Sequence, residues 1–154
     1  MKKPLIVSSL LVACLGASLA VAGENWVGNW KLNAAKSQPG ANAIRVDTLK
    51  FEATPDGIKL TSEGTDAQGK KVVGGYTSKF DGKETPWTGN PMADTAAPKK
   101  IDDNSYENSW KLGGKGTVTA KVVVSKDGKT LTVTQDGTGP GGEKIHAVAV
   151  YDKQ

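Results

Sequence analysis

His146 is the single histidine of the chain, and this narrows the chemistry at once. One imidazole cannot build a histidine-rich metal site, and a nucleophilic triad would need it as the base. No Gly-x-Ser-x-Gly segment supplies a serine on a strained elbow. A lone haem ligand needs supporting donors, so His146 reads as a plain strand residue. Asp102-Asp103 is the only adjacent carboxylate pair, and neighbours on a strand point to opposite faces. With Asn104 the pair lacks the regular oxygen spacing of a calcium loop and reads as a turn. Two glycine patterns imitate nucleotide motifs. Gly137-x-Gly139-x-x-Gly142 matches a dinucleotide fingerprint, but a strand from Ile145 to Tyr151 follows where a helix N-terminus must meet the pyrophosphate. Gly64 to Gly69-Lys70 matches most of a phosphate loop, yet Lys71 stands where a hydroxyl must meet magnesium. Both read as hairpin connections. The expectation is a protein with no catalytic group, no metal and no cofactor.

The N-terminus has the layout of a secretory signal. Met1-Lys2-Lys3 is basic, Leu5 to Leu19 is apolar and uncharged, and Ala20-Val21-Ala22 is a small-x-small cleavage site before Gly23. The run is shorter than the roughly 20 residues of a membrane-spanning helix. A cleaved leader over residues 1–22 is expected, then one domain over residues 23–154, periplasmic or secreted and without a membrane span. A competing reading takes Leu11-Val12-Ala13-Cys14 as a lipobox with a lipid anchor on Cys14, although the apolar segment before that cysteine is very short. Cys14 is the only cysteine, so the domain must rest on packing and hydrogen bonds. Lys2 and Lys3 supply two of the net +4 charges, and Arg45 is the only arginine. A nucleic-acid partner is not expected, because such binders carry an arginine-rich basic stripe.

The elements that hold these groups are strands. Short alternating stretches punctuated by Gly, Asp and Asn dominate, and only Ala34-Ala35-Lys36 and Ala93 to Ala97 could form a helical turn. The pattern predicts about ten strands, near 26–32, 44–53, 58–65, 71–80, 83–87, 98–102, 104–112, 116–125, 130–136 and 144–152. Asp56-Gly57, Asp81-Gly82 and Asp127-Gly128 fall between strands, where glycine takes positive φ in a tight hairpin, while Asp136-Gly137 reads as opening a connection that ends at Gly142. Alternation puts Tyr106, Trp110 and Leu112 on one face, and Val118, Ala120, Val122 and Val124 on one face of the next strand. A phase change between Ile44/Val46 and Leu49/Phe51 predicts a β-bulge. The last strand is apolar on both faces, which leaves the direction of Ala147 and Ala149 open. Successive hairpins make an all-β antiparallel meander of about 8–10 strands, and closing it into a barrel removes the exposed edges.

At the first strand the chain reads Trp26-Val27-Gly28-Asn29-Trp30-Lys31-Leu32. This resembles the Gly-x-Trp opening of lipocalins and the Gly-x-Trp-Lys-Leu opening of fatty-acid-binding proteins, members of the calycin superfamily. The last strand, Val148 to Lys153, is similar to the final strand of the latter. The whole domain resembles small exported bacterial proteins of largely unknown function with the same opening and a Val-Tyr-x-Lys end. The resemblance implies a lipocalin-like barrel with Gly28 and Trp30 as its structural motif, the tryptophan packing across one end. Fatty-acid-binding proteins hold a carboxylate with an Arg-x-Tyr pair; here Tyr151 is present and Ala149 stands in the arginine position. Residues 33–43 are too few for the helical lid of that family.

Trp87, Tyr106, Trp110 and Tyr151 are the candidate ligand-binding residues. Trp30 and Trp110 also read as core, because large aromatics dominate packing. Trp87 lies in a proline-bounded stretch that reads as a loop, either offered for recognition or folded over the barrel mouth. Two functions follow: a barrel binding a small apolar or amphipathic ligand inside, or a non-catalytic envelope interaction module with a solid core. Segment 85–98 is the best surface for the second.

Overall fold

Threonine, lysine and valine alternate along β8 (Gly116–Val124), and burial alternates with them. Gly116, Val118, Ala120, Val122 and Val124 are buried, while Thr117, Lys121 and Val123 face outward. The computed structural model describes residues 25–40, 44–91 and 93–154; the expected cleavage site and Cys14 lie outside the described residues. The remaining strands are β1 (Gly28–Leu32), β2 (Ile44–Thr54), β3 (Gly57–Asp66), β4 (Lys71–Ser78), a two-residue β5 (Thr85–Pro86), β6 (Thr95–Lys100), β7 (Ser105–Leu112), β9 (Thr130–Thr138) and β10 (Lys144–Lys153).

The strands form one antiparallel sheet in the order β4-β3-β2-β1-β10-β9-β8-β7-β6-β5. This is a meander whose first strand pairs with both the second and the last. The two outer strands then nearly meet. Gly75 and Thr88 exchange backbone hydrogen bonds of 2.9 and 3.0 Å, and Thr85 Oγ1 donates to Thr77 O at 3.0 Å. The fold is an all-β, nearly closed barrel, and closure satisfies edges that would otherwise recruit other chains.

One end is plugged by aromatic rings. Trp26 and Trp30 are fully buried, and Trp30 Nε1 donates to Trp26 O at 2.7 Å. The Trp26 ring meets Phe80 at 5.3 Å and Tyr106 at 5.6 Å between centroids. Lys153 Nζ sits 5.1 Å from the Trp30 ring centroid, a cation–π contact over the plug. Toward the opposite end, Ala93, Leu112, Val118 and Ile145 form a second cluster with Trp87 and Trp110.

The structure bears out the bulge, with the β2–β3 register shifting between Val46 and Thr48. Ala34–Lys36 forms a single 3-10 turn whose first residue follows an Asn33 cap. Three expectations need correction. Residues 95–97 are strand rather than helix, and β6 begins at Thr95 instead of 98, because Ala96 pairs with Thr85 on one side and Trp110 on the other. Tertiary pairing of this kind outweighs the helix preference of alanine. Gly82 and Gly128 take φ of 76° and 71° as expected, but Gly57 does not take positive φ. Gly57 serves close approach, since a Cβ there would lie 2.0 Å from Ser78 O. Asp136-Gly137 stays inside β9, paired with His146 and Ile145, so the glycine-rich connection begins only after Thr138.

Candidate functional site

The short first strand creates the site. β1 reaches β10 only through Trp30 opposite Lys153, Lys31 opposite Asp152 and Leu32 opposite Tyr151. The rest of that β10 edge is left for residues 33–40, which lie along it as a strap. Asn33 N donates to Val150 O at 2.8 Å, Gln38 and Val148 exchange bonds of 2.7 and 3.0 Å, and Val150 N donates to Ser37 Oγ at 2.9 Å.

Between this strap, the start of β2 and the inner face of β10 lies an outer cavity of about 320 Å³. Burial on β10 falls on Ile145, Ala147 and Tyr151, with Ala149 in phase, so both alanines face inward. Their small side chains make the room. Leu32 and Val46 add apolar wall, and Gln135 and Arg45 bring polar groups. Arg45 is already engaged: its Nε and a terminal nitrogen both reach Asp47 Oδ1 at 2.6 Å. Tyr151 donates its hydroxyl to Val46 O at 3.2 Å, fastening β10 to β2 beside the cavity.

A second, inner cavity of about 60 Å³ occupies the barrel centre. It has room for a few waters only. Val46, Gln135 and Tyr151 line both cavities, so the two adjoin. The four candidate residues Trp87, Tyr106, Trp110 and Tyr151 all line the inner one, together with Tyr76 and Asn108. Trp87 meets Tyr76 at 5.1 Å and Trp110 at 5.5 Å, edge to face. Trp87 therefore folds inward from the end of β5 and is not offered on a loop. Segment 85–98 is likewise no detachable surface. It supplies β5 and part of β6, with Ala96 and Pro98 fully buried, so its removal would open the barrel wall. Gly28 and Trp30 stand apart from the cavity at the plugged end, Gly28 with φ of 134°. His146 lies on the outer face, its Nδ1 2.6 Å from Asp136 Oδ1.

Sequence reading missed Tyr76, Asn108 and Gln135. Asn108 was within reach, since it shares its strand face with Tyr106 and Trp110. Tyr76 follows two glycines that blur the alternation of β4.

Tyr76, Tyr106 and Tyr151 are the only tyrosines of the chain, and all three are buried. Burial raises each phenol above its ordinary value; a hydrogen bond between Tyr76 and Tyr106 opposes this slightly at Tyr76, and Asp47 adds to it at Tyr151. The folded state therefore favours the neutral phenols. That stability is fully present below the ordinary phenol value near 10 and is lost as pH rises through the raised values. At about pH 11 the folded protein is expected to show no phenolate absorbance. Phenolate should appear for all three in one step, coincident with loss of the β circular-dichroism signal. Gradual titration of any tyrosine before unfolding would contradict this burial.

Among the described residues, no group of three or more His, Cys, Asp or Glu side chains is placed to hold a metal ion, and no helix is long and apolar enough to cross a membrane. No family model and no curated protein matches the sequence. Solved structures do. The chain is similar to EF1p2_mFAP2b bound to DFHBI, at 8% identity over 85% of this chain and 95% of that chain, with a TM-score of 0.51. It also matches a de novo designed fluorescence-activating β-barrel at 11% identity over 86% and 97% of the two chains, TM-score 0.46. A redesigned β-barrel, mFAP1, bound to DFHBI, matches at 10% identity over 84% and 96%, TM-score 0.46. At such identities the first of these likenesses speaks for fold alone: this chain folds as a β-barrel.

Proposed function

We propose that this protein is an exported, non-catalytic member of the calycin group that binds a small apolar or amphipathic molecule at the open end of its barrel. The observation that carries the reading is the outer cavity of about 320 Å³ walled by the inward-facing Ala147 and Ala149. Ligand pockets run from about 300 to 1,000 Å³, so this one suits a compact ligand of up to roughly twenty non-hydrogen atoms. A barrel of similar fold, EF1p2_mFAP2b, binds DFHBI, and this lends the reading support by analogy.

Ala149→Trp tests it. An indole placed there projects into the cavity that Ala149 lines. Titration with the environment-sensitive fluorophore N-phenylnaphthylamine should show saturable binding to the native protein and at least tenfold weaker binding to the variant. The urea midpoint should hardly move. Native mass spectrometry after gentle purification gives a second reading through any co-purifying small molecule. Absence of both fluorophore binding and a retained molecule would remove the proposal. The rival, an envelope interaction module, would then gain ground from the aromatic side chains that leave only about 60 Å³ at the barrel centre.

A further inference from the structure

One hydrogen-bond donor at the wall of the inner cavity is left unsatisfied. Trp87 Nε1–H is buried and has no partner among the described residues. Tyr76 Oη accepts from Asn108 Nδ2 at 3.3 Å. Asn108 Oδ1 takes the Ala97 amide at 3.1 Å, and Gly74 O takes the Ser62 hydroxyl at 3.1 Å. Tyr151 spends its own hydrogen on Val46 O.

A buried donor left unmade is costly, so Trp87 Nε1–H calls for an acceptor. The side chains lining this cavity include no Lys, Arg or His. An anion placed there would lose its hydration without gaining a counter-charge. An uncharged oxygen meets the Trp87 donor without that cost.

We propose that the inner cavity seats an uncharged oxygen acceptor, a carbonyl or ether oxygen, at the leading end of an amphipathic ligand whose apolar body fills the outer cavity under the strap. This rests on the ligand-binding reading and names the chemistry that the site selects. The adjoining walls at Val46, Gln135 and Tyr151 give the two parts of the ligand a continuous path. The site thereby discriminates against carboxylates of equal length.

Displacement of bound N-phenylnaphthylamine at neutral pH by three compounds of matched size tests the proposal. They are methyl heptyl ketone, the olefin in which a methylene replaces its oxygen, and nonanoate. The ketone should bind about tenfold more tightly than either of the others. Trp87→Phe should cut the ketone's advantage severalfold. The comparison on the unmodified protein stands even if a variant fails to fold. Equal displacement by ketone and olefin would show that the inner cavity keeps only water, and tighter nonanoate would show a hidden cation; either result overturns the inference while the binding reading survives. Failure of the fluorophore and all three compounds to bind would overturn both.

Discussion

Replacing Trp30 by alanine is expected to cost about 3–5 kcal/mol of folding stability, the range for truncating a buried tryptophan. The ring is fully buried at the plugged end, so its loss leaves a void that rigid strands on every side cannot close. Three further terms act in the same direction. Trp26 O loses its donor at 2.7 Å, Lys153 Nζ loses the ring beneath it at 5.1 Å, and β1 loses its main anchor to the core. Total stabilities of single domains are about 5–15 kcal/mol, so about a fifth or more of the margin goes with one side chain. Urea unfolding would show a midpoint lower by roughly 2 M at unchanged slope. Trp30→Phe should recover about half of the loss, because it restores ring volume but not the N–H. An unchanged midpoint in Trp30→Ala would mean that the aromatic plug does not hold the barrel end.

Gly75→Ala should do comparable damage with a far smaller change. A Cβ at this position would lie 2.2 Å from Leu60 O, and the clash is with backbone on the adjoining strand, which cannot rotate away. Gly75 is also where β4 meets the far side of the barrel through its two hydrogen bonds with Thr88. Relief must either part β4 from β3 or break that junction, at a cost of about 3 kcal/mol by analogy with overpacked cores. Amide exchange separates the two outcomes. If the junction yields, exchange at Gly75 and Thr88 accelerates far more than at the centre of β8. Thr77→Ala, two residues on and facing solvent, should stay within about 0.5 kcal/mol. Native-like stability in Gly75→Ala would refute the close approach of β4 to β3 at Leu60.

Both substitutions bear on what the sequence made legible. Ten strands, their order of hairpins and the bulge near Asp47 follow from alternation and turn chemistry, which are local. Trp30 as an end plug was legible through the Gly-x-Trp resemblance. The role of Gly75 was not, because close approach between strands depends on how the sheet coils and leaves no mark in the neighbouring residues. The same holds for Gly57, where a hairpin-turn glycine proved to be a close-packing one. Residues 95–97 misled because alanines beside a proline carry no strand signal of their own; their pairing with β7 decides. At the site, the four aromatic candidates do converge, but which of them faces a cavity could not be read. That turned on the phase of β10, which is apolar on both faces, and on the inward turn of Trp87, which a proline-bounded stretch does not reveal. The polar groups that give the inner cavity its character were overlooked because inward polar residues on a strand look like ordinary interruptions of a pattern.

The pairing of the first strand with the last has a consequence for how the molecule can be held. Gln154 N donates to Asn29 O at 3.0 Å and Lys153 Nζ lies 3.5 Å from Asn25 O, so the two ends of the described domain leave from the same, plugged pole. The strap and the outer cavity face the other way. A tether, tag or immobilising surface joined at either end grips the base of the cup and leaves its rim clear. Two copies joined head to tail by a short linker would share a base while their mouths stay free.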